Sequence, residues 1–239
     1  MITETVSWLG SQNNSKWLFD RMFPKKDIIF FKKKEVPYET NGITFRNVLI
    51  YGAQGSFKTN TVRGLAEEAV KRYGESEVNA TNILGNINLV FGDALMNKTA
   101  NIIYVDDITG VKLGDEQLQS FNRIRHLLKD KTGMDQGLVI TIFGAHGYFE
   151  IQKALRVNFN GVIATTHPDN DRDKSSLRRR IGNKGIEVLA SVRENVERGI
   201  TDYRKVFAWG DRSGVMDLGL PDQNYLVDFK YNPSTGERV

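Results

Sequence analysis

Lys58 and Thr59 end a short glycine-bearing turn, Gly52-Ala53-Gln54-Gly55-Ser56-Phe57-Lys58-Thr59, which follows the apolar run Val48-Leu49-Ile50-Tyr51. A lysine and a hydroxyl placed this way suit phosphate. In a G-x-x-x-x-G-K-[ST] loop the backbone N–H groups cradle phosphate oxygens, the ammonium reaches the outer phosphates and the hydroxyl faces Mg²⁺. The sequence keeps that spacing with one irregularity: Phe57 stands where the last glycine belongs. Glycine serves such loops by allowing tight turns and close backbone approach. Phe57 is therefore expected to adopt ordinary dihedrals and to turn its ring away from the phosphates. On this reading Gly52, Ala53, Gln54, Gly55, Ser56, Phe57, Lys58, Thr59 and Asn60 cradle a nucleotide, ATP being the expected one, and Lys58 also acts in catalysis.

Asp106 and Asp107 form a second candidate group, adjacent carboxylates at the end of the apolar run Asn101-Ile102-Ile103-Tyr104-Val105. A carboxylate at the C-terminal end of a buried strand beside a phosphate loop can hold Mg²⁺, an ion that favours a few carboxylates plus water and phosphate oxygens. Asp106 and Thr59 are expected to hold the metal, and Asp107 to orient or deprotonate an attacking water. The plainer alternative is that both carboxylates cap the next helix or sit in a solvated turn. His146 follows a third apolar run, Gly137 to Phe143. Its imidazole, which titrates near neutrality, can sense phosphate charge, or it can simply satisfy nearby backbone groups.

These groups need elements to hold them. Val62, Leu65, Ala66, Ala69 and Val70 recur at helical spacing and predict a helix over Thr61 to Tyr73 directly after the loop. The 48 residues from Lys58 to Asp106 leave room for a further strand, Glu77 to Leu84, and a helix, Ile87 to Met96. Asp115 to Leu128 reads as one helix, with Leu118, Phe121, Ile124 and Leu128 toward the sheet and Arg123 and His126 on its polar side. A strand is expected over Gly161 to Thr166. The alternation predicts an α/β fold with a mostly parallel sheet flanked by helices. Residues 1–45 read as an accessory segment in which Trp8, Trp17, Leu18, Phe23 and Phe30-Phe31 cover a sheet edge. Residues 46–200 read as the core of a single domain, and 201–239 as a terminal β-hairpin or extra strands.

The order of these features resembles the additional-strand P-loop ATPases, the group that holds RecA-like, AAA+ and packaging motors, in which an extra strand lies between the Walker A and Walker B strands. Gly55-Ser56-Phe57-Lys58-Thr59 is similar to the phosphate loops of some plasmid and phage RecA-like ATPases. The group usually has glutamate after the Walker B aspartate; Asp107 is shorter by a methylene. The resemblance implies a sensor at His146. By likeness to packaging and conjugation ATPases of the FtsK/HerA type, it implies an arginine that bridges to a neighbouring subunit, with Arg156 the catalytic candidate. It further implies a homo-oligomer, carried by an archaeal virus or plasmid, that uses ATP and Mg²⁺ to move or remodel DNA.

Composition agrees with this and narrows it. The chain of 239 residues is 40% hydrophobic, enough to bury a substantial core. It has no cysteine, which excludes disulfide scaffolds and thiolate metal sites, and His126, His146 and His167 lack ligand spacing. No apolar run reaches the length of a membrane span and the N-terminus lacks signal-peptide order, so a cytoplasmic protein is expected. The net charge of +4 and pI near 9.1 permit an anionic polymer partner. Basic residues cluster at Lys25-Lys26, at Lys32 to Lys34, and from Arg172 to Arg180. Two other functions use the same loop: a small-molecule or nucleotide kinase, with Asp169 to Arg180 as its lid, and a nucleotide-gated assembly protein with little turnover.

Overall fold

The computed structural model describes residues 6–29, 42–83, 91–115, 118–119 and 123–229. Its strands and helices are β1 (Ser7–Asn13), α1 (Ser15–Met22), α2 (Lys26–Ile29), β2 (Gly42–Tyr51), α3 (Lys58–Tyr73), β3 (Val78–Ile83), β4 (Ala100–Val105), α4 (Ile124–Thr132), β5 (Gln136–Ala145), α5 (Lys153–Arg156), β6 (Gly161–Ala164), α6 (Asp171–Glu197), β7 (Arg204–Trp209), β8 (Arg212–Asp217) and β9 (Val227–Phe229). The strands form a single mostly parallel sheet in the order β1-β8-β7-β6-β2-β5-β4-β3-β9. The two antiparallel pairs are β6 with β7 and β7 with β8.

The central strands are apolar on both faces because helices cover both. Val48, Ile50, Ile102, Tyr104, Ile140 and Ile142 pack with Leu18, Phe19, Val62 and Leu65, so α1 and α3 cover one face. Leu49, Tyr51, Ile103, Val105, Val139 and Phe143 pack with Ile124, Leu128, Leu177, Ile181 and Leu189, so α4 and α6 cover the other. A sheet buried on both sides reads as near-continuous apolar runs, which is why its strands were legible in sequence. Two buried polar residues join β2 to β5 within this core: the Thr141 hydroxyl donates to Asn47 Oδ1 at 3.0 Å, and Asn47 Nδ2 donates to the Asn158 carbonyl at 3.2 Å.

The register sets up the site. β5 runs between β2 and β4, with Tyr51 opposite Ala145 and Val105 opposite Phe143. The C-terminal ends of three parallel strands therefore open onto one edge, and each is followed by a candidate group: the Gly52 loop, Asp106-Asp107 and His146.

Several expectations change on contact with the structure. The helix after the loop begins at Lys58, three residues before the predicted Thr61. In place of the helix over Ile87 to Met96, residues Phe91–Ala94 form a single 3₁₀ turn; 84–90 lie outside the described residues. Asp115 to Leu128 is not one helix: Asp115, Leu118 and Gln119 are helical, but Arg123 is a turn residue that precedes α4. Glu116, Gln117 and Ser120 to Asn122 lie outside the described residues, as do Phe30-Phe31 and the Lys32 to Lys34 cluster. The N-terminal segment does more than cover an edge, since β1 adds a parallel strand beside β8. The predicted terminal hairpin is β7–β8, turning at Gly210, whose positive φ of 60° suits a two-residue hairpin loop. No described helix is long and apolar enough to cross a membrane.

Candidate nucleotide site

The loop from Gly52 to Phe57 joins β2 to α3 and is held from the ends of both neighbouring strands, β5 and β6. Gly52 N donates to the Ala145 carbonyl at 3.0 Å, Ala53 N to Thr166 Oγ1 at 3.0 Å, and the Ser56 and Thr165 hydroxyls are hydrogen bonded at 2.8 Å. A Cβ on Gly52 would collide with both hydroxyl oxygens, which is the physical reason for glycine there. Gly55 has φ of 75° and open space around it.

Phe57 departs from the expectation of ordinary dihedrals. It occupies the left-handed region at φ 62°, ψ 23°, the conformation that glycine adopts without steric cost, and it is the N-cap of α3. Its ring does turn outward: it is half exposed and meets Tyr203 edge-on at 6.0 Å between centroids. Asp107 is the other non-glycine residue with positive φ among the described residues, at 46°. Backbone strain of this kind persists where surrounding structure over-determines it, and it concentrates at functional sites.

Lys58 is buried at the first turn of α3. Its Nζ donates to the carbonyls of Gly52 at 3.0 Å and Ala53 at 3.1 Å and lies 3.1 Å from His146 Nδ1. Burial lowers its pKa, while the charges of Asp106 and Asp107 oppose that shift. His146 Nδ1 is also 3.0 Å from the Gly52 carbonyl, and its Nε2 is 3.8 Å from Asp107 Oδ2. His146 thus satisfies loop backbone, the plainer of the two readings, and it also stands between the lysine and the second carboxylate. Its own backbone N–H donates to the Thr109 hydroxyl at 2.8 Å, and Thr109 N donates to Asp107 Oδ1 at 3.2 Å, so the turn after β4 is tied to the end of β5.

Sequence reasoning missed Tyr104, which reads as one more apolar strand residue. Its ring is fully buried, yet its hydroxyl donates to Asp106 Oδ1 at 2.7 Å, and Thr59 stands close enough to act on the phenol's ionisation. Burial, with the Asp106 hydrogen bond and charge, pushes its phenol well above the ordinary range, so it stays protonated. The phenol therefore fixes one predicted metal ligand, Asp106, beside the other, Thr59. A Cβ on Gly144 would lie 2.7 Å from Asp106 Oδ1 and 2.8 Å from the Tyr104 hydroxyl, so glycine on β5 makes room for this pair.

A cavity lined by Gln54 to Asn60, Asp106, Asp107 and His146 collects these groups. Its composition fits a Mg²⁺–triphosphate: oxygen donors from Thr59 and an exposed Asp106 carboxylate, a lysine, and the backbone cradle. Among the described residues no cluster of three His, Cys, Asp or Glu makes an all-protein metal cage, and Mg²⁺ in such sites takes most of its ligands from substrate and water. Arg156 does not line this cavity. It lies 5.2 Å from the Phe149 ring centroid, with Arg172 5.5 Å away, and Phe149 is half exposed. In the other basic cluster Arg180 Nη2 donates to the Phe159 carbonyl at 3.0 Å, while Arg178 and Arg179 are exposed. The segment from Asp171 to Arg180 is the start of α6, capped by Asn170 and anchored by buried Leu177; it does not stand off the core as a lid.

Comparison with known proteins places this arrangement. No family model matches the chain. A protein from Methanothermobacter thermautotrophicus described as a putative homologue of a 26S proteasome regulatory subunit is 28% identical over an alignment of 177 positions that covers 67% of this chain. The chain spans about half, 46%, of that relative's length. The genome-packaging NTPase B204 of Sulfolobus turreted icosahedral virus 2, solved in complex with AMPPCP, superposes with a TM-score of 0.50 at 8% identity, over 73% of this chain and 98% of that one. The conjugation coupling protein TcpA of pCW3, solved with ATPγS, gives a TM-score of 0.44 at 13% identity, over 75% of this chain and 61% of that one. The likeness to B204 shows the fold: the chain shares the α/β architecture of that NTPase, a mostly parallel sheet with helices on both faces.

Proposed function

We propose that the chain binds and hydrolyses ATP and couples hydrolysis to movement or remodelling of DNA, as an oligomer carried by a virus or plasmid. The observation that supports the chemistry best is the position of β5 between β2 and β4, which brings Lys58, Asp106, Asp107 and His146 to one cavity. In this reading the loop N–H groups and Lys58 bind the phosphates, and Thr59 and Asp106 would hold the metal, with Asp106 oriented by Tyr104. Mg²⁺ bound there would neutralise charge on the β- and γ-phosphate oxygens. Asp107, with His146 3.8 Å away, orients or deprotonates the attacking water. Lys58 reaches phosphate by leaving the carbonyls of Gly52 and Ala53, so nucleotide binding exchanges one set of lysine acceptors for another. The described strands make one continuous sheet, which favours a single catalytic domain with β1 and β7–β8 as extensions of its edge. The DNA role draws on the packaging function that B204's description carries, together with the basic surface of Arg172, Arg178 and Arg179.

The test is phosphate release measured without polymer, with single-stranded DNA and with duplex DNA at several protein concentrations. Stimulation by DNA is the expected result. Turnover that requires a small acceptor in place of water would instead establish a kinase, and ATP binding with no turnover under any condition would establish a nucleotide-gated assembly protein.

A further inference from the structure

Beside the phosphate cavity, and sharing Gln54, Gly55, Ser56 and Phe57 with it, lies a second cavity of about 360 Å³. It opens on the β6 side of the loop, between the loop and the C-terminal half of α6. Its apolar surface comes from Phe57, Val192 and Val196; Val196 is 55% and Phe57 47% exposed. Polar groups stand around them. Thr166 accepts the Ala53 N–H at 3.0 Å, and burial, with the Lys174 charge, lowers the pKa of His167. Arg193 pairs with Asp169 and with Glu197, each at 2.9 Å, and Asp202 is held by Arg204 and Asn195. Flat apolar faces with hydrogen-bonding groups at the edges are the recognition chemistry of an aromatic heterocycle.

We infer that Phe57 is the nucleoside platform of the site: the base of the bound nucleotide stacks on its outward ring, with Val192 and Val196 as the facing wall. The inference rests on the phosphate-loop reading. It supplies a reason for the irregularity that reading leaves over. A glycine at position 57 would adopt φ of 62° without cost and would offer no surface, whereas phenylalanine accepts the strained backbone and gains an exposed aromatic face at the junction of the two cavities. Tyr203 packs against the ring at an interplanar angle of 74°, and the ring remains half exposed. The acceptor-rich rim at Asp169 and Glu197 suits ribose hydroxyls and exocyclic amines, which donate.

Titration calorimetry with Mg²⁺, comparing ATP with inorganic tripolyphosphate, separates platform from cradle. Wild-type protein should bind both, with ATP favoured. Phe57→Gly should bind tripolyphosphate at least as tightly as wild type while the preference for ATP falls roughly tenfold, the scale of one base–aromatic stack. Phe57→Trp should retain the preference, and Val196→Asp on the opposite wall should lower it without affecting tripolyphosphate. Tripolyphosphate binding with an unchanged ATP preference in Phe57→Gly overturns the platform and leaves the phosphate loop standing. Failure of the wild type to bind either ligand overturns both.

Discussion

At the scale of single residues, the site separates binding from chemistry. Lys58 points its charge at loop carbonyls and an imidazole, not at the apolar core, so Lys58→Ala should leave the fold intact while nucleotide binding or turnover is lost. Circular dichroism paired with ATP titration checks this, and unchanged ATP affinity would remove the phosphate-loop assignment. The two carboxylates should part company. Asp107→Asn should still bind Mg²⁺·ATP but hydrolyse it on the order of a hundredfold more slowly, the scale of a lost general base. Asp106→Ala should weaken the Mg²⁺-dependent part of binding itself. Tyr104→Phe deletes only the hydroxyl that holds Asp106, so it should cost roughly tenfold in Mg²⁺-dependent ATP affinity, as loss of an outer-shell ligand partner does, with little change in affinity measured in EDTA. The placement of the loop and of both carboxylates at strand ends was legible because residue types and spacing mark them, following apolar runs, in the sequence. Tyr104 was not legible, since a tyrosine inside an apolar strand looks like core until its hydroxyl is seen to have partners. The left-handed backbone of Phe57 was hidden for a related reason: the sequence places the residue, but the neighbouring turn dictates its dihedrals.

At the scale of elements, strands buried on both faces were the easiest to read and helix boundaries the hardest. β2, β4, β5 and β6 follow from uninterrupted apolar runs, and α3 from its helical spacing. The predicted long helix from Asp115 to Leu128 fails at Arg123, because a periodic apolar pattern continues in register across a turn that periodicity alone does not reveal. α6 conceals a similar break at Gly182, where φ of 76° and ψ of 172° bend the element inside what the pattern treats as continuous helix. β7 carries a feature that composition hides. Lys205 is buried in the sheet, its Nζ donating to the Tyr203 carbonyl at 2.8 Å and the Leu218 carbonyl at 3.4 Å, and burial lowers its pKa to about 8. The folded pKa lies below the ordinary 10.5, so between about pH 8 and 10.5 the unfolded chain binds a proton that the folded chain does not. Stability should therefore rise with pH across that window, by up to about 3 kcal/mol for a shift of this size. Urea denaturation at pH 7.5, 9 and 10.5 should show this rise in wild type and not in Lys205→Met; parallel pH profiles for the two proteins would show that Lys205 does not titrate in the folded state.

At the scale of the whole molecule, the cavity at the strand ends gathers a lysine, two carboxylates and a histidine from three of them, yet Arg156 lies elsewhere, beside Phe149 and Arg172. A γ-phosphate that develops charge during transfer gains most from a guanidinium, and an arginine supplied by a neighbouring subunit can raise turnover by ~10³-fold or more. The proposed oligomer supplies such a group if the surface bearing Arg156, Arg172 and Phe149, or that bearing the exposed Arg178 and Arg179, faces the next subunit's cavity. Arg180 is the weakest member of this set, because its guanidinium is already engaged with the Phe159 carbonyl inside its own chain. Specific ATPase activity should then climb with protein concentration until assembly saturates. Arg156→Ala should bind ATP normally and turn it over at least tenfold more slowly. Mixing it with Lys58→Ala should restore part of the activity, since the lysine variant can lend its intact Arg156 to a neighbour whose own loop is intact. Rescue by the Arg178→Ala, Arg179→Ala double variant in place of Arg156→Ala would move the role to α6. Activity independent of concentration, with no rescue in any mixture, would mean that each chain completes its site alone, and the kinase reading would then account for the molecule better than the motor.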